Sequence, residues 1–557
     1  MQHALHQAIA QALASAMADG SLPRIDAPDF AVETPPRAGM GDFACNVAMA
    51  LARPAKMAPR QIAQTVIDHL PSGLPLERVE IAGPGFLNLY LSPVWLHDSL
   101  RDCLALGPEY GRSDAGAGTR VQVEFVSANP VGPLHIGNAR GGPYGDVLAA
   151  LLEFTGHRVE REYYVNDARD NTQLQTFGRS LRLRYLELLG ETVDLAEGLY
   201  SGEYVIDYAR RLVDERGESL SDLPDDAEGW VAFADLVLPW VLASLETDLR
   251  ALGIEYDVWF SERSLHDSGA VQAEIDRLLA IGVAYQKDGA VWLKTKEHGD
   301  DEDRVLVRET GAPTYIASDL AYARDKFGRG FGRVIYVWGP DHAGYVPRMK
   351  AAVEAIGIDL DRVEIIISQI VRFLRSGEPV RLSKRKGAIV NLSDLLAEVG
   401  RDAARFHFLT RTIEAHMDFD LDLAAKQANE NPVYYVQYAH TRTCGVLRKA
   451  QEEGAAAPSA AEAKLELLTH SDEQALLRKL ADFPTDIRMA ADTRGPHQLT
   501  VFGRELAALF HQFYTTCHVI DLAEPDLTGA RLCLVQGTQT VLATVCRLLG
   551  IDAPERM

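Results

Sequence analysis

The sequence predicts an α/β protein: a doubly wound parallel sheet, with an α+β unit before it and an all-helical bundle after it. Three observations carry this expectation. The apolar run "VQVEFV" at 121–126 passes through a Gly/Pro-rich loop into the helical pattern "GDVLAALLEFTGH" and then the strand-like "REYYV", which is the strand–helix–strand grammar of a parallel sheet with helices on its faces. The same grammar returns at 333–357, "RVIYVWGPDHAGYVPRMKAAVEAIG", followed by the apolar "VEIIISQIV". Beyond about residue 410 the apolar residues recur at helical spacing, and that region reads as all-helical.

In chain order, the opening "MQHALHQAIAQALASAM" patterns as an amphipathic helix without the basic flank and apolar core of an export signal. In "RVEIAGPGFLNLYLS", Ile81, Phe86, Leu87, Leu89 and Leu91 are placed to line a small sheet, so residues 1–112 read as an α+β domain. The glycine-rich "GRSDAGAGTR" marks its end. Residues 113–410 form the doubly wound domain, interrupted from about 175 to 300 by charged helical stretches such as "LPWVLASLETDLRALG" that read as an insertion. Residues 411–557 form the bundle, in which Phe502, Leu506, Leu509, Phe510 and Phe513 share one helical face as core and "QEEGAAAPSAAEAK" is a solvated loop.

Composition narrows the function classes. A chain of 557 residues exceeds one hydrophobic core, and no stretch is read as approaching the roughly 20 apolar residues of a membrane span. The net charge of -23 argues against a surface coated in nucleic acid but is compatible with a local basic groove. Six scattered cysteines, with no CxxC or zinc-spaced Cys/His pattern, point to free thiols, no zinc and a cytoplasmic protein.

Ligands of open parallel sheets bind beyond the carboxyl ends of the strands, where loops feed helix N-termini. The stretch "SANPVGPLHIGNARGG" at 127–142 occupies such a place, and His135 within it is positioned to donate to a nucleotide phosphate. A lone loop histidine is more often a capped, satisfied side chain, and its neighbours change that balance. "HIGN" at 135–138 resembles the HIGH signature of class I aminoacyl-tRNA synthetases, and "RLSKRKG" at 381–387 resembles their KMSKS loop. Together with "EFVSANPVGPLHIGN", "TYIASDLAYARDKF", "VWGPDHAGYVPRM", "GRDAARF", "APERM" and the N-terminal "GMGDFACNVAMALA", these make nearly the whole chain resemble the arginyl-tRNA synthetases.

The resemblance implies a Rossmann-type catalytic domain that activates L-arginine with ATP, releases pyrophosphate and passes arginine to the 3′ end of its tRNA. It implies catalytic roles for His135, Asn138, Arg381 and Lys384, and nucleotide contacts by His135, Gly137, Asn138, Gly339, Asp341, His342, Ser383 and Lys384. Glu124, Asn129, Tyr315, Asp319 and Tyr345 would hold arginine, and Tyr434, Tyr438, Arg442 and Met557 would meet the tRNA. Mg²⁺ would accompany the nucleotide, and a cytoplasmic monomer with no membrane partner is expected. Two positions depart from the signatures: Asn138 replaces the second histidine and cannot become cationic, while Arg381 replaces a lysine with a larger planar head.

Chemistry agrees with the resemblance in one respect. A guanidinium calls for carboxylates in a dry pocket, where bidentate pairing gives energy and selection against lysine; Tyr315 and Asp319, four apart, share a helix face. On spacing alone, Glu124 reads as a strand-edge surface carboxylate, Tyr315 as core-packed, and Asp341 as a helix cap beside an exposed His342. Another synthetase of the class, a catalytically silent tRNA binder and a small HIGH-bearing nucleotidyltransferase are the alternatives these residues leave open.

Overall fold

The computed structural model describes residues 2–557 apart from 27, 34, 36–39, 195–196 and 381–390. Its central sheet holds β1 (Arg120–Phe125), β2 (Arg158–Val165), β3 (Val258–Ser261), β4 (Arg333–Trp338) and β5 (Val363–Ile367), all parallel, in the spatial order β5-β4-β1-β2-β3. Strand order reverses between β1 and β4, so the crevice beyond their carboxyl ends is the topological switch point. Alternation along β1 sends Val121, Val123 and Phe125 to one core, while Val334 and Tyr336 of β4 and Tyr164 of β2 face the other. Gln122, Glu124 and Glu162 are buried too.

Helix α1 (Gly141–Phe154) follows the first loop and lies directly on β1: a Cβ at Gly145 would come within 2.2 Å of the Phe125 ring, so only glycine permits that approach. Next come α2 (Thr172–Leu188), a helix at Glu203–Arg216, and α3 (Ala227–Ala251). The proposed continuous insertion is thereby corrected, because β3 falls inside it and completes the main sheet. Four residues, all half-buried, are too short for alternation to register in the sequence. After β3, two short helices and a three-stranded antiparallel sheet (Ala284–Lys287, Ala290–Leu293, Arg304–Val307) lead to α4 (Tyr315–Gly328).

The apolar run at 363–371 breaks at Ser368 into β5 and a separate strand, Val371–Arg375. That strand pairs in parallel with Met417–Asp420, so the region beyond 410 is not wholly helical as expected. Helix α5 (Arg401–Phe408) precedes it; α6 (Pro432–Glu452), α7 (Ser471–Asp492), α8 (His497–Thr516) and α9 (Pro525–Leu549) form the bundle. Phe502, Leu506, Phe510 and Phe513 are buried there and Leu509 lies at the edge of the core. Among the described residues two helices, α3 and α9, are long and apolar enough to cross a bilayer by length and composition, against the expectation that no stretch approaches that length; α9 is mostly buried in the bundle.

The N-terminal unit has its own core from Leu5 to Leu91 around a four-stranded antiparallel sheet. Phe86, expected to line that sheet, is exposed. Helix Pro93–Leu106 touches this core through Trp95 but packs mainly on the bundle: Cys103 Sγ lies 3.7 Å from Gly537 O in α9, and just beyond the helix Tyr110 Oη donates to Leu480 O at 3.1 Å in α7.

Two buried guanidinium groups join the units. Arg405 on α5 donates to Leu549 O (2.9 Å), Leu252 O (3.0 Å), Gly253 O (3.1 Å) and Asp146 Oδ2 of α1 (2.5 Å). Arg140 donates to Ala415 O (2.6 Å), Thr412 O (2.8 Å) and Ile413 O (3.1 Å). All six cysteines are buried and free.

Candidate active site

The chain leaves β1 under strain. Val126 (φ 68°) and Ser127 (φ 39°) are both left-handed, which costs about 1–3 kcal/mol each and is unusual for a β-branched residue. Hydrogen bonds pin the turn: Tyr256 Oη donates to Phe125 O at 2.9 Å, Tyr163 Oη to Ala128 O at 2.8 Å, and Tyr164 N to Ser127 Oγ at 3.1 Å. Beyond the turn, Asn129 donates its amide to Gln173 Oε1 of α2 at 2.8 Å.

His135 caps the short helical turn Ile136–Asn138, its Nδ1 accepting from Gly137 N at 3.0 Å. Nε2 therefore carries the ring proton. Partial burial lowers the imidazole pKa, favouring the neutral donor. A Cβ at Gly137 would lie 3.0 Å from Nδ1, so glycine makes room for this arrangement. Gly137 and Asn138 are exposed beside it. Arg381, Ser383 and Lys384 lie outside the described residues, but the chain just after them does not: Asn391 pairs with the backbone of His135, and Leu392 N donates to Leu134 O at 2.9 Å.

On the α4 face of the sheet, Glu124 is 4% exposed in a central strand, paired with Tyr336 on one side and Glu162 on the other. Reading it as a strand-edge surface carboxylate is thereby corrected; a single glutamate in an apolar run gives no sign of what covers it. Asp319 accepts from Tyr345 Oη at 2.6 Å, which joins two of the predicted arginine residues. Burial pushes the Asp319 carboxyl up to about 6, against the Tyr345 hydrogen bond; Glu124 pushes the same way and Lys326 opposes. Tyr315 is 55% exposed on the first turn of α4, which corrects the core-packed reading.

Glu262, just past β3, is a buried acid that sequence reasoning missed. Burial pushes it up to about 8, helped by Asp319, Asp170 and Asp167. Its only signal was position: an acid directly after a strand that was itself not seen. Past β4, Asp341 and His342 are exposed on the turn Pro340–Tyr345, which Gly339 opens, so Asp341 is not the cap. The His342 ring lies 5.7 Å from Trp338.

Protonation of Asp319 gives a pH signature. If this carboxylate takes the cationic end of a ligand, the KM for that ligand should rise as pH falls through about 6, with the KM for ATP steady. The stability sign is opposite to that of an ordinary ion-paired acid. The folded pKa is raised above 3.8, so the folded state holds the extra proton between about 4 and 6, and this group's contribution to stability declines as pH rises through that window. Urea melts across pH 4 to 7 on wild type and Asp319→Asn check it.

On the bundle, Tyr434 and Tyr438 stack with centroids 6.1 Å apart, and His511 sits 4.9 Å from Tyr435 and 5.7 Å from Tyr438. Arg442 lies 4.0 Å over the Tyr514 ring, and burial with the Arg442 charge lowers His511 to about 4. Met557 is exposed and shares with Tyr434 a cleft of about 720 Å³, also lined by Asp402, Lys426, Gln437 and Asp552.

Comparison with known proteins places three family models along the chain: "Arginyl tRNA synthetase N terminal domain" at 3–91, "tRNA synthetases class I (R), catalytic domain" at 100–413, and "DALR anticodon binding domain" at 436–557. The arginine–tRNA ligase of Desulforamulus reducens is 47% identical, over 100% of this chain and 99% of its own length. That of Syntrophotalea carbinolica is also 47% identical, covering 100% of both. Among solved structures, Thermus thermophilus arginyl-tRNA synthetase superposes with a TM-score of 0.77 over 100% of both chains at 24% identity. A Mycobacterium tuberculosis methionyl-tRNA synthetase reaches 0.55 at 12% identity over 77% of this chain and 91% of its own.

Proposed function

From the premise that the chain belongs to the arginyl-tRNA synthetase family, and so activates arginine with ATP and charges its tRNA, we propose how its residues divide that work. The arginine carboxylate attacks the α-phosphate of ATP, pyrophosphate leaves, and a terminal tRNA hydroxyl then takes the arginyl group from AMP. His135 donates from Nε2 to the phosphates, and Lys384 closes over the departing pyrophosphate, with Asn138, Arg381 and Ser383 beside them. Gly137, Gly339, Asp341 and His342 border the nucleotide. Asp319, oriented by Tyr345, takes the guanidinium with Glu124 and Tyr315, while Asn129 holds the other end of the amino acid. The carrying observation is the pairing of Asn391 with His135, which brings the chain four residues past the end of the second signature to the first.

Residues 1–112 and 411–557 would receive the tRNA corner and its anticodon, the latter through Tyr434, Tyr438, Arg442 and Met557. Among the described residues no group of three or more His, Cys, Asp or Glu is arranged to hold a metal ion. Mg²⁺ would accompany the nucleotide, held mainly by phosphate oxygens and water. A monomer working in the cytoplasm completes the proposal.

The test is arginine-dependent ATP–pyrophosphate exchange with tRNA present. His135→Ala, which removes one preorganised donor to developing charge, is expected to lower kcat about 10²–10³-fold. Exchange with another amino acid but none with arginine would overturn the substrate assignment, and an unchanged kcat would remove His135 from the chemistry.

A further inference from the structure

We propose that Lys326 is a positioning residue for arginine capture: its buried amino group grips Glu124 Oε2 and fixes that side chain in one orientation, with Oε1 turned to the side of Ser127. The inference rests on the assignment of Glu124 to the arginine site.

Lys326 has no exposed surface. Its Nζ lies 2.5 Å from Glu124 Oε2 and 3.9 Å from Glu162 Oε1, between the rings of Tyr322 and Tyr336, each centroid 4.0 Å away. Glu162 is already satisfied by Arg329 at 2.6 Å and by the Tyr322 hydroxyl, so the short bond of Lys326 goes to Glu124. Among the described residues the other Glu124 oxygen accepts a hydrogen bond from the Ser127 hydroxyl, at 3.4 Å, in the strained turn. Seven residues separate Lys326 from Asp319 on α4, two turns along one face.

Lys326 occupies Oε2 and leaves Oε1, beside Ser127, as the oxygen that can accept from a ligand. It also cancels the Glu124 charge, so an arriving guanidinium meets one uncompensated acid, Asp319, and one prearranged acceptor oxygen. Both rings lie within cation–π range of the ammonium and help to fix it.

The experiment compares wild type with Lys326→Met, Lys326→Arg, Glu124→Gln and the double variant Glu124→Gln/Lys326→Met in tRNA-supported exchange. Lys326→Met is expected to raise the arginine KM about 30-fold with the ATP KM within about twofold, a split that a general packing role does not produce. Lys326→Arg keeps the charge and should recover most of the loss. If the lysine acts through Glu124, the double variant should have the arginine KM of Glu124→Gln alone, within about threefold. This pair decides the question even if Lys326→Met alone does not fold, since the double variant leaves Glu124 without a charge to pair. A normal arginine KM in Lys326→Met, or a double variant that multiplies the single effects, overturns the proposal. A normal arginine KM in Glu124→Gln instead overturns the assignment of Glu124 itself.

Discussion

Asp319→Ala is expected to lower kcat/KM for arginine by about 10³-fold while leaving the ATP KM near wild type. The expectation follows from losing one partner of a desolvated charge pair, worth about 2–5 kcal/mol, in a site where Tyr345 already orients the acid at 2.6 Å. Asp319→Asn tests the charge separately, because the amide still accepts from Tyr345 but offers one carbonyl oxygen to a cation. Tyr345→Phe should fall between wild type and Asp319→Asn, since it frees the carboxylate without removing it. Steady-state exchange with each substrate varied in turn separates the cases, and equal losses for arginine and ATP would mean that Asp319 supports the fold and not the amino acid.

The largest effect on stability is expected at Arg405. Arg405→Met removes four hydrogen bonds, reaching α9, the segment after α3, and Asp146 on α1. Removing one side of a buried pair costs about 3–5 kcal/mol, because the remaining charge and carbonyls stay buried without partners. Asp146 keeps Arg161 at 3.1 Å, which sets the loss toward the lower end. Denaturant unfolding followed by tryptophan fluorescence gives the value, and a change under 1 kcal/mol would show that water replaces the guanidinium.

The parallel sheet was legible because β4 and β5 are largely apolar runs, β1 alternates Val121, Val123 and Phe125 with polar residues, and β2 ends on Tyr163, Tyr164 and Val165, with helical patterns between the strands of each pair. β3 was not, since four half-buried residues carry neither that run nor alternation. The Met417–Asp420 strand hid for a similar reason: it is four residues long and pairs with a partner 46 positions earlier, which local pattern cannot report. At the site, Asp319 and Tyr345, 26 positions apart, are joined by a hydrogen bond that local pattern does not report. Glu262 and Lys326 escaped because their importance lies in what covers them, and one acid or one lysine in a mixed helix looks like a solvated charge until its neighbours are known. Phe86 shows the converse, an apolar residue in a strand that faces outward at its first position.

The contact of helix Pro93–Leu106 with the last helix ties together parts of the chain 434 positions apart, Cys103 and Gly537. On the ribosome the first partner emerges long before the second. The sequence-local N-terminal unit is free to fold as it is made, whereas the seam around Leu100 and Cys103 stays open until α9 has been synthesised. Over that interval those side chains wait as sticky nascent surface, and a chaperone's protection would count most there.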